Sequence, residues 1–331
     1  MVRLRRVTGA IEAEIYVKLE YFNPSGSLKD RVLYKAVTEA ERRGELKPGM
    51  RLIEGTTGNT GIATAMVGAA LGYPVTIVMP RGMSEERKKT IRAYGAELVL
   101  TEGAESDVDL VIEKVKEIKS AHPGKYWEVG QFTNMDNVKA HYETTGPEIW
   151  EQTCGKVQAL VAAAGTGGTV TGAGKFLKER DPSVRVFAVE PEECAILSGG
   201  GWGPHKIEGI GDGFIPPVLD LEVLDGVIQV SSDEAMEMAR RMTREEGIFC
   251  GISSGCNVAA AIKLCQEFPD IKTVVTFVND AGFKYLSTEL WSAPTKLEVP
   301  QREHPLVGAD ARSSRQQDFV VIKRPLGSCR A

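Results

Sequence analysis

The chain has 331 residues, of which 42% are hydrophobic and 26% are charged. This length suits about two domains or one large α/β domain, and the composition excludes a disordered or fibrous protein. The 40 Lys and Arg residues and the 45 Asp and Glu residues give a formal net charge of −5. Because this balance offers no basic field, we expect no nucleic-acid or lipid partner. Glycine, with 35 residues, exceeds its usual share of about 7%, so the positions of the glycines are informative.

The six cysteines and four histidines show no paired spacing. Scattered single cysteines without a CxxC motif are typical of a reducing compartment and predict neither a zinc ribbon nor a redox pair. The histidines lack the spacing of metal ligands, so no metal is expected. The basic N-terminus is not followed by the apolar segment of a signal peptide. We therefore expect a cytoplasmic protein.

Residues 55–80 contain no charged side chain and are long enough to span a bilayer. However, their threonines, glycines, Asn59 and Pro74 divide them into a turn, a helix and a strand. A membrane span is therefore not expected.

Strand and helix patterns alternate along the first part of the chain. The predicted elements are a helix at 31–42, a strand at 51–54, a helix at 62–71, a strand at 75–79, a helix at 84–94 with Ser84 as its N-cap, a strand at 97–101 and a helix at 107–120. Such alternation predicts a parallel sheet with helices on both faces.

The alternation starts again after residue 156. The predicted elements are a strand at 157–163, a helix at 171–179, a strand at 184–189, helices at 233–246 and 257–267, and a strand at 273–278. Residues 198–217, here named the glycine-rich loop, are too long for an ordinary connection and indicate a functional loop. Two arrays predict two α/β domains with a cleft between them. The periodicity ends after Trp291, so residues 292–331 are predicted to be a C-terminal tail.

The segment Gly-Thr-Gly-Gly-Thr at residues 165–169 follows a predicted strand and precedes a helix. At that location, backbone N–H groups and the positive helix end face a bound anion, so we name this segment the phosphate cup. The dinucleotide fingerprint fails because Val170 stands where a glycine is needed, and the Walker A pattern fails at Thr169. The alternative is a glycine-rich turn without a ligand.

Residues 54–61, with the sequence Glu-Gly-Thr-Thr-Gly-Asn-Thr-Gly, also join a strand to a helix. Several short hydroxyl and amide donors at a helix start suit a carboxylate, so we name this segment the carboxylate loop. Taken alone, the same residues are equally consistent with simple helix capping.

Lys29 lies at the start of a predicted helix, after a turn rich in Gly, Ser and Pro. A cation is disfavoured at that end of the helix, and the same field lowers the pKa of the amine and favours its neutral, nucleophilic form. The alternative is an ordinary solvent-exposed lysine.

Residues 251–255 fit the GxSxG pattern of a hydrolase nucleophile, with Asp280 and His304 as the other members of a triad. Against this interpretation, His304 lies in the predicted tail, no HGGG-type segment is present, and too few residues follow Ser253 to complete that fold.

Together these segments resemble the cysteine synthase (O-acetylserine sulfhydrylase) and cystathionine β-synthase family of fold-type II pyridoxal-phosphate enzymes. The matching stretches are residues 18–31, 56–61, 140–150, 165–169, 203–211 and 251–255. The resemblance implies two three-layer αβα domains with twisted, mainly parallel sheets, as in the tryptophan synthase β subunit, with the cofactor in the interdomain cleft. Residues 30–135 would form a smaller mobile domain, and residues 1–29 plus 136–291 the larger cofactor-binding domain.

The resemblance further implies a pyridoxal 5'-phosphate-dependent β-replacement that forms L-cysteine from O-acetyl-L-serine and sulfide through an aminoacrylate intermediate. The alternatives within the family are cystathionine β-synthase, O-phosphoserine sulfhydrylase and cyanoalanine synthase. An amino-acid-sensing binding protein is the non-enzyme alternative, although the presence of Lys29, Asn59 and Ser253 argues against it. The family also implies a homodimer, with the C-terminal tail of a serine acetyltransferase as a further partner.

The resemblance gives each matching residue a role. Lys29 would form the Schiff base with the cofactor and later move protons at the substrate Cα. Asn59 would bond the ring oxygen, and Ser253 the pyridine nitrogen. The cofactor phosphate would be bound by Gly165, Thr166, Gly167, Gly168 and Thr169. The substrate carboxylate would be held by Thr56, Thr57, Thr60 and Gln131.

Three positions depart from the usual pattern of the family. Thr57 stands where serine is commoner, which is a mild change. Asp212, in the glycine-rich loop, replaces a small residue, and Ala281 replaces a serine near the pyridine end. The last two departures leave the choice of substrate open.

Overall fold

Two sheets organise residues 1–103, 108–292 and 319–323, which are the residues that the computed structural model describes. The strands are β1 (Val2–Arg3), β2 (Glu14–Leu19), β3 (Arg51–Gly55), β4 (Val75–Pro80), β5 (Glu97–Thr101), β6 (Tyr126–Glu128), β7 (Ala159–Ala163), β8 (Arg185–Pro191), β9 (Gly226–Val230), β10 (Thr273–Val278) and β11 (Val320–Ile322). One sheet has the order β1-β2-β10-β7-β8-β9-β11, and the other has the order β5-β4-β3-β6. Apart from the antiparallel pair of β1 and β2, the strand pairs are parallel. The predicted αβα fold class with mainly parallel sheets is confirmed.

Helices connect these strands. They are α1 (Lys29–Arg43), α2 (Asn59–Leu71), α3 (Glu85–Ala93), α4 (Val108–Ala121), α5 (Asp136–Ala140), α6 (Gly146–Gln152), α7 (Gly168–Arg180), α8 (Ser232–Glu246) and α9 (Ile252–Glu267). A π-helical turn, His141–Thr145, joins α5 to α6. No helix among the described residues is long and apolar enough to cross a membrane.

The central strands are buried on both faces because helices cover both sides of each sheet. All residues of β4 and of β9 are buried. In β7, Leu160 and Ala162 pack into one apolar cluster, whereas Val161 packs into another on the opposite face. This double burial explains the continuous apolar runs from which the sequence predicts parallel strands.

Several helices begin earlier than their sequence predicts. The structure starts α2 at Asn59, α7 at Gly168 and α9 at Ile252, whereas the sequence predicts starts at residues 62, 171 and 257. The missed first turns consist largely of Gly, Thr, Ser and Asn, which have low helix propensity. The predicted N-cap of α3 is wrong in one respect, since the Ser84 hydroxyl makes no capping bond and donates instead to the Lys284 carbonyl at 3.0 Å.

The sequence analysis also missed β2, β6, β9, β11 and the helical stretch from α5 to α6. Of these, β11 lies in the predicted tail and pairs in parallel with β9 at the edge of the large sheet. The rest of that tail, 293–318 and 324–331, lies outside the described residues. Ile322 is 3% exposed within the core of the large sheet, while Val320 is 50% exposed.

This pair of residues gives a stability test of the edge strand. Ile322→Ala should lower the free energy of unfolding by about 2–5 kcal/mol because it empties a packed site. Val320→Ala, on the same strand, should change it by less than about 0.5 kcal/mol. Urea titrations of the two variants measure the difference, and equal effects would contradict the packing of β11 on the sheet.

Candidate active site

A cleft of about 810 Å³, which includes space open to solvent, lies where β3, β7 and β10 end, since Gly55, Ala163 and Asn279 line it. The carboxyl ends of parallel strands are the usual position of a ligand site in α/β folds. The predicted site residues that line this cleft are Lys29, Thr56, Thr57, Asn59, Thr60, Gln131, Gly165, Thr166, Gly167, Thr169 and Ser253. Gly168 is not among the lining residues. It lies behind the cup, where an added Cβ would come within 2.0 Å of Asn137 Oδ1.

The N-termini of α2, α7 and α9 lie at the cleft. Asn59 and Thr60 open α2, Thr169 is the second residue of α7, and Ser253 is the second residue of α9. None of these three helices, all within the described residues, carries an acidic side chain in its first turn. The partial positive charges of their unpaired N–H groups are therefore left for ligand anions.

Lys29 is the first residue of α1 and is half-buried at the cleft. The pKa of its amine is lowered, mainly because burial disfavours the charged form, while the carboxylates of Asp212 and Asp280 oppose this effect. The sequence analysis predicted the direction correctly but attributed it to the helix field. No ion pair joins Lys29 to an acid in the described ranges, which suits an amine that acts as a nucleophile.

The carboxylate loop meets Gln131 through a network of hydrogen bonds. The Thr60 hydroxyl donates to Gln131 Oε1 at 2.6 Å, although the two residues are 71 positions apart. Glu54 accepts hydrogen bonds from the backbone N–H groups of Gly130 (2.9 Å) and Gln131 (3.3 Å). Burial raises the pKa of the Glu54 carboxyl to about 8. Glu54 therefore joins the two segments proposed to bind the substrate carboxylate, and the sequence analysis missed this role.

The phosphate cup is held from behind by buried polar groups. Asn137 donates to the Thr166 hydroxyl and to the Gln131 carbonyl, each at 2.9 Å. His141 Nε2 lies 3.1 Å from the Thr169 hydroxyl, and its Nδ1 lies 2.9 Å from Thr145 Oγ1. Burial lowers the pKa of His141 to about 3, helped by the positive charges of Lys29 and Arg31, so its ring is neutral near pH 7. The cup therefore meets a neutral partner on this side.

Asn59 and Ser253 also line the cleft. Asn59 donates from Nδ2 to Asp280 at 2.8 Å and accepts from Lys284 Nζ at 2.7 Å. One Nδ2 hydrogen is thus left for a ligand acceptor. Ser253 Oγ accepts from Asn279 Nδ2 at 3.1 Å, so its own hydrogen is available to an acceptor such as a ring nitrogen.

These contacts do not assemble the hydrolase triad considered above. Asp280 accepts hydrogen bonds from Asn59 and from the Tyr285 hydroxyl, and Ser253 bonds Asn279. His304 lies outside the described residues. The hydrogen bonds of Ser253 and Asp280 favour a binding role over a nucleophile and its orienting acid.

The donor set fits pyridoxal phosphate. The cup offers an anion site at the N-terminus of α7, where the first turn of the helix carries no acid. Lys29 supplies an amine of lowered pKa for the aldehyde carbon, and the hydroxyl of Ser253 and the amide of Asn59 can bond polar atoms of the ring. The carboxylate loop then provides a separate anion site for an amino acid.

The fold and this cleft define a pyridoxal-phosphate enzyme of fold type II. The model of the family "Pyridoxal-phosphate dependent enzyme" matches residues 1–280, and the chain belongs to that family. A cysteine synthase of Staphylococcus aureus (strain N315) is 49% identical to it over 293 residues, which cover 88% of this chain and 94% of the relative.

Solved structures show the same likeness. A cysteine synthase from Entamoeba histolytica has a TM-score of 0.84 at 45% identity, covering 89% of this chain and 88% of its own. An O-ureido-L-serine synthase has a TM-score of 0.83 at 41% identity, covering 88% and 91%. A hydrogen sulfide-producing enzyme from Fusobacterium nucleatum has a TM-score of 0.82 at 42% identity, covering 86% and 95%.

The raised pKa of Glu54 predicts a pH-dependent contribution to stability. The folded protein keeps a proton on this carboxyl up to about pH 8, whereas an ordinary glutamic acid, as in the unfolded chain, loses it near 4.5. Because the native state binds the extra proton, the contribution of Glu54 is fully present below pH 4.5 and is lost as the pH rises through 8. Between these values it should fall by about 1.4 kcal/mol per pH unit.

Urea titrations between pH 5 and 8 measure this effect. The free energy of unfolding of wild type, relative to Glu54→Gln, should decline with pH. Glu12→Gln is the control, because the Glu12 side chain is 84% exposed. If the free energies of unfolding of Glu54→Gln and of wild type change in parallel with pH, the Glu54 carboxyl ionises normally and the prediction is wrong.

Proposed function

We propose that this protein is a cysteine synthase that uses pyridoxal phosphate to convert O-acetyl-L-serine and sulfide to L-cysteine and acetate. The observation that carries the proposal is the meeting of Lys29, the carboxylate loop and the phosphate cup at one cleft. A binding protein for amino acids would need the carboxylate loop, but it would not need an amine of lowered pKa at the same cleft as an anion cup.

Two separate anion sites orient the substrate. The Thr56 and Thr57 hydroxyls and the Gln131 amide N–H groups bind the α-carboxylate, whereas the Thr60 hydroxyl donates to Gln131 and holds it in place. The cup binds the cofactor phosphate at the N-terminus of α7. When bound, pyridoxal phosphate withdraws electrons from the substrate Cα. Lys29 lines the same cleft and takes the proton from that carbon, because burial lowers the pKa of its amine and so favours the neutral form that accepts a proton.

Ser253 supports the choice of reaction. It presents a neutral hydroxyl, whereas many pyridoxal enzymes place a carboxylate at the ring nitrogen. A neutral partner withdraws fewer electrons and so disfavours a long-lived carbanion, which suits loss of the β-acetate as the Cα proton leaves. Sulfide then adds at the β-carbon, and the proton held by Lys29 returns to Cα.

Further features of the family belong to the same proposal. They are a homodimer, a cytoplasmic location, a C-terminal segment of serine acetyltransferase as partner, and division into a mobile domain of residues 30–135 and a cofactor domain of residues 1–29 plus 136–291. The two sheets support this division, because residues 30–135 include all four strands of the smaller sheet.

Colour gives the first test of the cofactor. Purified protein should absorb at about 410 nm, as pyridoxal phosphate joined to a lysine does, and Lys29→Ala should lose that band. Lys35→Ala, on the same helix, should keep it, because Lys35 pairs with Glu39 and Glu143 instead of lining the cleft. A colourless wild-type protein that cannot be reconstituted would contradict the proposed cofactor.

The choice of amino-acid substrate is tested with three compounds that differ in the leaving group on the β-carbon. O-acetyl-L-serine, O-phospho-L-serine and L-serine are each supplied with sulfide, cyanide or homocysteine, and the products are separated by chromatography. We expect O-acetylserine with sulfide to give the highest kcat/KM. If serine with homocysteine is preferred, the protein is a cystathionine β-synthase, and if cyanide is preferred, it is a cyanoalanine synthase.

A further inference from the structure

Arg87 is a buried cation in an unfavourable place. It is the third residue of α3, near the positive end of the helix, and it is 2% exposed. It lines the cleft together with Glu208 of the glycine-rich loop, and the two side chains form an ion pair. A buried charge of this kind is costly without its partner, so Glu208 is what allows Arg87 to remain there.

The ion pair connects the two sheets. Helix α3 lies between β4 and β5 of the four-stranded sheet, whereas the glycine-rich loop lies between β8 and β9 of the seven-stranded sheet. Arg87 therefore holds an element of the smaller sheet against a loop of the larger one across the cleft.

Arg87 also touches the machinery that holds the ligands. An added Cβ at Gly58, in the carboxylate loop, would come within 2.9 Å of Arg87 Nε, so the guanidinium packs directly on that loop. On its other side, the guanidinium lies 4.8 Å from the centre of the Tyr285 ring. The Tyr285 hydroxyl donates to Asp280, which in turn accepts from Asn59. A continuous set of contacts thus runs from Glu208 to Asn59.

We propose that Glu208 is a positioning residue that acts through Arg87. The pair ties the glycine-rich loop to the carboxylate loop when an amino acid is bound, and so excludes water while the β-carbon is reactive. This inference rests on the proposed function. Without the tie, the reacting amino acid should escape before sulfide adds: O-acetylserine and water then give pyruvate, ammonia and acetate instead of cysteine.

The test compares Glu208→Gln, Glu208→Asp and Arg87→Gln with the double variant, all as purified protein with pyridoxal phosphate. Glu208→Gln should raise the ratio of pyruvate to cysteine and the KM for O-acetylserine by about tenfold each, with a smaller change in kcat. Glu208→Asp, which keeps the charge, should show smaller increases in the product ratio and in KM than Glu208→Gln does. In the double variant, the increases in the product ratio and in KM should be smaller than the product of the two single-variant increases, because no unpaired charge is left.

Glu85→Gln is the matched control, since Glu85 lies on the same helix and pairs with Lys88, but its side chain is 60% exposed. It should behave as wild type. Additive single effects, or an unchanged product ratio in Glu208→Gln, would overturn the proposal.

Hydrogen–deuterium exchange provides a readout that does not depend on activity. With serine or O-acetylserine present, Glu208→Gln should increase exchange at residues 203–213 and 55–61 by about tenfold, and Glu85→Gln should not. Unchanged exchange in Glu208→Gln overturns the tie. If the wild-type protein makes no cysteine but exchange is still faster in Glu208→Gln than in wild type, the proposed reaction is refuted and the tie is supported.

Discussion

The site depends on helix N-termini that meet at the carboxyl ends of parallel strands. The strand ends of β3 and β7 place the starts of α2 and α7 at one cleft, and α9 adds a third N-terminus. Because no acid occupies the first turn of any of these described helices, their positive ends are free for a phosphate and a carboxylate. At the same cleft, burial lowers the pKa of the Lys29 amine and favours its neutral form.

A layer of buried polar residues fixes this arrangement. Asn137 links the cup to Gln131, Asp280 and Lys284 hold Asn59, and Glu54 joins the carboxylate loop to residues 130–131. Each of these groups is costly to bury unless its partners are in place. The layer therefore stabilises the native geometry only when all its contacts form together, and it keeps the ligand-binding atoms in position before a ligand arrives.

Much of the architecture could be predicted, because regular elements carry local patterns. Alternating strands and helices gave the fold class, and glycine, threonine and lysine motifs at predicted helix starts led to the cleft. The first turns of α2, α7 and α9 could not be predicted, since the Gly, Thr, Ser and Asn residues in them are poor helix formers. Asn137 and Glu54 were missed for another reason: their partners are distant in sequence, so no local pattern marks them.

The same reasoning explains where substrate choice can reside. Under the proposed function, the cofactor phosphate, the cofactor ring and the substrate α-carboxylate are the same for every substrate, and the cup, Ser253 and the carboxylate loop would bind these common parts. The variable β-substituent is left to the remaining wall of the cleft, to which the glycine-rich loop contributes Glu208 and Asp212. An O-ureido-L-serine synthase and a cysteine synthase share this fold with the chain at 41% and 45% identity. On this wall Arg87 compensates the charge of Glu208, so the carboxylate of Asp212 is the group that opposes a dianionic phosphate ester more than a neutral acetyl ester.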